Sequence, residues 1–166
     1  NPDVAAELSV AARRIATIER VHRRLHSQDG AETIALKRYV EEFCRDFGSL
    51  TGSDASSETA IIVKGCEMDI PSATAIPLGF ILNELITNAV KYGEGSIVVG
   101  LETAPGGGHI LSVCNGGLPL PAHIDVATGT GLGMKIVNSL VAKIGGELSC
   151  GPRPDGRGAR FVVTFH

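Results

Sequence analysis

The sequence predicts an α+β fold. Stretches with a helical apolar period are interleaved with short β-branched runs, yet the strict strand–helix alternation of a doubly wound parallel sheet is missing. The 166 residues suit one medium domain, or a smaller domain with an appended element. A composition of 43% hydrophobic and 20% charged residues supports a buried core under a solvated surface.

The elements follow in order. Residues 4 to 27 read as a long helix in which Leu8, Ala11, Ile15, Ile18, His22 and Leu25 alternate at spacings of three and four. That is a heptad-like seam for a partner helix. A second helix spans Ile34 to Phe47, with Leu36, Tyr39, Val40, Phe43 and Phe47 on one face. Thr59 to Val63 is β-branched and predicts a strand. Pro71-Ser72 opens a third helix, with Ser72 as its expected N-cap and Gly93 just past its end. Strands are predicted over 96–102 and 109–114, joined by the Gly106-Gly107-Gly108 turn. A loop covers 115–130, a helix 132–143, and two last strands 147–150 and 159–165.

A net charge of -3 gives no broad basic surface and argues against nucleic acid as a partner. No apolar run reads as long enough to span a bilayer, and no signal peptide is evident. The first residue, Asn1, is not a start methionine, so a longer parent protein is expected. Cys44, Cys66, Cys114 and Cys150 are scattered without a CxxC pair, which points to free thiols in a reducing, cytoplasmic setting.

Three segments carry chemistry. In Asn83-Glu84-Leu85-Ile86-Thr87-Asn88-Ala89-Val90-Lys91-Tyr92-Gly93, helical spacing puts Glu84, Asn88 and Lys91 on one face, with Leu78, Leu82, Leu85 and Ala89 opposite. A carboxylate can polarise a nucleophile, an amide oxygen suits Mg²⁺, and an ammonium neutralises phosphate. The same pattern also fits the solvated face of an ordinary amphipathic helix. In Gly129-Thr130-Gly131-Leu132-Gly133-Met134-Lys135, three alternate glycines open into a helix start. Unpaired N–H groups and the helix dipole favour an anion there, although neither the dinucleotide fingerprint nor a P-loop is present. In Val113-Cys114-Asn115-Gly116-Gly117-Leu118-Pro119, a strand ends on an amide that can pair with a base edge or cap a turn.

Together, and in this order, the segments resemble the ATP-binding signature shared by gyrase, heat-shock chaperone ATPases, histidine kinases and mismatch-repair ATPases. Pro77 to Ala89 is similar to one bacterial histidine-kinase subfamily. So are Gly131 to Val137, Leu140-Val141 and Gly145-Gly146-Glu147-Leu148, and Arg14 to His22 resembles that subfamily's second dimerisation helix. The resemblance implies a two-layer sandwich of the Bergerat (GHKL) type: a mixed sheet with helices on one face, preceded by a dimerisation helix. It implies a division into residues 1–30, part of the dimerisation domain, and 31–166, the ATP-binding catalytic domain. It implies a sensor histidine kinase that uses ATP and Mg²⁺, works as a homodimer, and passes phosphate to a response-regulator receiver domain.

By the same resemblance, Glu84 is the catalytic base or polariser and Asn88 the Mg²⁺ ligand. Lys91 and Tyr92 border the nucleotide, and Asn115 and Gly117 sit at the adenine. Thr130, Gly131, Leu132 and Gly133 wrap the phosphates, and 118–128 form a lid. Three features depart from the family pattern. Asn115 replaces an adenine-reading aspartate, Ala159 replaces a threonine, and the phosphoacceptor His-Arg-x-x-Asn motif is absent from these residues. They leave open a degenerate module that only binds a regulator, while a serine kinase of the anti-sigma type is disfavoured by the heptad seam. His22 and His26 are expected to be structural, and His109 and His123 exposed.

Overall fold

The computed structural model describes residues 2–26, 32–50, 60–117, 132–154 and 156–166. In chain order these form α1 (Pro2–His26), β1 (Thr33–Ala35), α2 (Leu36–Leu50), β2 (Ile61–Gly65), β3 (Asp69–Pro71), α3 (Ser72–Tyr92), β4 (Glu94–Thr103), β5 (His109–Gly116), α4 (Leu132–Lys143), β6 (Glu147–Pro152) and β7 (Ala159–Phe165). Five strands make one sheet in the order β2-β4-β5-β7-β6. The β2–β4 pair is parallel and the other pairs are antiparallel, so the sheet is mixed.

Strand alternation sorts the sheet into two faces. Ile97, Val99 and Leu101 of β4, Leu111 and Val113 of β5, and Val163 and Phe165 of β7 are buried. They join Leu36, Tyr39, Val40 and Phe43 of α2, the apolar face of α3, and Val137 and Val141 of α4 in one core. The helices therefore lie on one face, as the α+β sandwich requires. The β4–β5 hairpin closes through Gly106, Gly107 and Gly108, with φ of 85°, 96° and 97° that L side chains rarely adopt.

Four sequence expectations are corrected. Residues 33–35 are not helical: β1 pairs antiparallel with β3, a two-stranded sheet too short for a period-2 signal. The start of α2 is then capped from afar, because Lys37 and Arg38 donate their backbone N–H to the Glu67 carboxylate at 2.7 and 3.2 Å. Pro71, not Ser72, is the N-cap of α3, and it makes no side-chain cap bond. One helix, Ser72–Val90, is long and apolar enough to cross a membrane by length and composition. Its apolar face packs on the sheet, which explains a composition the sequence pattern had placed below that threshold. His109 is half-buried rather than exposed, its ring 5.2 Å from that of Phe165 and its Nδ1 buried without a partner among the described residues.

α1 packs along α2 and α3. Leu8 and Ile15, both on the seam, are 65% and 45% exposed. The side chains of Ile18, His22, Leu25 and His26, and residue His123, lie outside what the structure describes.

Candidate functional site

The site begins with α3. Leu78, Leu82, Leu85 and Ala89 are buried against the sheet, as their spacing predicts, which fixes the rotation of the helix. Glu84, Thr87 and Asn88 are then half-buried on the flank. The first turn of α4 meets that flank. A Cβ at Gly133 would lie 2.5 Å from Glu84 Oε2, so only glycine fits while the carboxylate keeps its place. Next to it, Asn88 Nδ2 donates to Met134 Sδ at 3.3 Å. A thioether is a weak acceptor, so this bond orients the amide more than it stabilises the fold. It does not involve Oδ1, the hard oxygen that a divalent cation takes.

The start of α4 favours an anion, with the Glu84 carboxylate beside it as the opposing charge. The opening N–H groups of α4 have no intrahelical acceptors, and its first turn holds no acidic residue. Elsewhere on α3, Thr87 Oγ1 is buried without a hydrogen-bond partner among the described residues, a state that costs about 1–3 kcal/mol. No group of three or more His, Cys, Asp or Glu side chains gathers among the described residues.

The second half of the site lies at the end of β5. Asn115 is buried and is the cross-strand partner of Ala159. Its Nδ2 donates to the Gly116 carbonyl at 3.1 Å. Gly158 donates its N–H to the Gly117 carbonyl at 3.0 Å, and a Cβ at Gly158 would strike the backbone oxygen of Asn115. A Cβ at Gly93, directly after α3, would strike Asn115 Nδ2. Gly93 has φ -101°, so its glycine answers this close approach and not the left-handed conformation expected of a helix terminator.

The structure thus brings Glu84, Asn88 and Gly133 together, and places Asn115 beside Gly117, Gly158 and the end of α3. The side chains of Lys91, Tyr92 and Leu132 lie outside the description, as do Thr130, Gly131 and the 118–128 segment. Sequence reasoning missed Met134, Gly93 and Gly158. A glycine after a helix and one before a strand carry ordinary local readings, and only their neighbours across the fold reveal the other.

Comparison with known proteins agrees with this fold. The family described as histidine kinase-, DNA gyrase B- and HSP90-like ATPase matches residues 73–166, more than half of the chain. A second family, described as histidine kinase, matches residues 1–51. Comparison with curated proteins gives no significant match. Among solved structures, the histidine kinase domain of the Erythrobacter litoralis EL346 blue-light activated histidine kinase is similar, with TM-score 0.77 and 21% identity over 92% of this chain and 73% of that one. The longer EL346 structure gives TM-score 0.80 and 20% identity over 96% of this chain, which spans only 49% of that protein. Full-length ShkA in complex with AMPPNP gives TM-score 0.53 and 26% identity over 76% of this chain and 29% of that one. With one family on its ATP-binding half and the other on its first helices, the chain belongs to the histidine kinase-, DNA gyrase B- and HSP90-like ATPases as the ATP-binding part of a sensor histidine kinase.

Proposed function

We propose that the α3–α4 junction holds the triphosphate of ATP with Mg²⁺, and that the β5 end holds its adenine. The observation that carries this reading is the meeting of Glu84, Asn88 and Gly133 at the start of α4, a helix whose own first turn contributes no acidic residue. Asn88 Oδ1 is the protein ligand suited to Mg²⁺, which when bound neutralises phosphate charge. Thr130, Gly131, Leu132 and Gly133 supply backbone N–H groups to the phosphates, and Gly133 lets them approach without a side chain in between. Lys91 and Tyr92, in the last turn of α3, border the nucleotide. In the transfer, the γ-phosphoryl leaves the β-phosphate oxygen and bonds to an imidazole nitrogen, and Glu84 polarises that imidazole and takes its proton. The acceptor histidine belongs to the dimerisation helices, and a receiver-domain aspartate takes the phosphoryl next.

Further proposals concern the wider protein. The chain divides near residue 30, since β1 and α2 already belong to the core of the ATP-binding unit. Two copies pair through α1, whose seam is exposed at Leu8 and Ile15. The domain works in the cytoplasm, where ATP and reduced thiols coexist. The degenerate module that Asn115 and Ala159 leave open gains no support among the described residues.

Titration calorimetry of Asn88→Ala tests the reading. Mg²⁺-dependent ATP binding should be lost while melting stays within about 0.5 kcal/mol of the parent, since Ala is the better helix former and little packing goes. Unchanged binding with a lower melting point would make Asn88 structural.

A further inference from the structure

The surroundings of Asn115 match an amide and disfavour a carboxylate. Its Nδ2 has an acceptor in the Gly116 carbonyl at 3.1 Å, and the absent side chain of Gly93 is what leaves room for that nitrogen. An amide can be turned two ways, offering either a donor or an acceptor to a ligand. Here the donor end is engaged. Among the described residues this is the one hydrogen bond of the amide, so Oδ1 keeps its lone pairs. An aspartate at the same place would set a second acceptor oxygen against the Gly116 carbonyl in a buried position, where unpaired like-polarity groups are costly.

We propose that Gly93 is a positioning residue which, with the Gly116 carbonyl, locks the Asn115 amide with its oxygen towards the base, so that Asn115 accepts from a 6-amino purine as a neutral acceptor. This rests on the adenine placement proposed above and deepens it. Position 115 is then an adapted acceptor and not a decayed one. Two consequences separate this from a simple loss of charge. Asn115→Asp does not tighten ATP binding. Gly93→Ala, which displaces Nδ2 and also meets the Ala89 carbonyl at 2.6 Å, releases the amide and removes the preference for a 6-amino over a 6-oxo base.

The test is calorimetric titration of the chain with Mg²⁺-ATP and Mg²⁺-inosine triphosphate, beside melting curves. The parent should favour ATP by about tenfold or more, the size of one hydrogen bond made against one left unmade. Gly93→Ala should bring that ratio close to one. Asn115→Asp should bind ATP about tenfold more weakly at neutral pH and recover in acid, where a protonated carboxyl again donates to Gly116. Asn115→Asp keeps Gly93 and the room it leaves, so it decides the matter if Gly93→Ala fails to fold. Equal affinity of the parent for both nucleotides, an unchanged ratio in Gly93→Ala, or tighter ATP binding by Asn115→Asp overturns the inference and leaves the nucleotide site standing. Binding of neither nucleotide by the parent overturns the nucleotide reading itself.

Discussion

Gly133 shows what one missing methyl group does at the α3–α4 junction. Gly133→Ala gains helix propensity, roughly 0.5–1 kcal/mol, yet its Cβ must push the Glu84 carboxylate aside. The expected outcome is an unchanged or slightly higher melting point, weaker ATP binding, and phosphoryl transfer at saturating ATP reduced by about tenfold or more, because positioning governs this reaction. Single-turnover phosphorylation of a chain bearing the acceptor helix measures it, and an unaltered rate would remove Glu84 from the chemistry. At Cys44, burial first and the Glu41 charge second push the thiol up to about 12 from an ordinary value of 9.0. The folded state therefore holds its proton more tightly than the unfolded state. The stability this gives is complete below pH 9 and is lost as pH rises from 9 towards 12, at no more than about 1.4 kcal/mol per unit. Burial also pushes the Tyr39 hydroxyl up, so the parent should weaken steeply in alkali and Cys44→Ala less steeply. Denaturant unfolding across pH 8 to 11 checks the slopes, and equal slopes would show that Cys44 does not contribute.

At the scale of elements, legibility followed periodicity. The α3 and α4 spans and the paired strands from β4 onward were readable, because long amphipathic helices and β-branched runs announce themselves. The β1–β3 pair and the cap at Glu67 were not, since both join residues about thirty to forty positions apart. The polar face of α3 was legible as Glu84 and Asn88, but its complement at Met134 and Gly133 depends on how α4 docks. α1 gives this scale its prediction. An exposed Leu8 and Ile15 on a heptad seam should drive self-association, and Leu8→Glu with Ile15→Glu should leave a monomer with an intact ATP site. Sedimentation velocity over a concentration series distinguishes the two, and a parent that stays monomeric throughout would contradict the seam as a pairing surface.

For the whole molecule, the connections that matter most run between its early and later parts. β1 pairs with β3, Leu36 N–H donates to Met68 at 2.7 Å, Ser72 N–H donates to Glu32 at 2.8 Å, and α2 fills the core beside α3. All of these span the 51–59 stretch without needing its peptide bonds. A chain without that stretch should therefore behave as two pieces of one domain. Residues 1–50 and 60–166, produced separately, should reassemble and regain nucleotide affinity, and should co-elute in gel filtration. Failure to combine would mean that the covalent link supplies an effective concentration that the interface cannot do without. If they do combine, the kinase becomes a two-component reporter whose ATP site is present only when its halves are brought together.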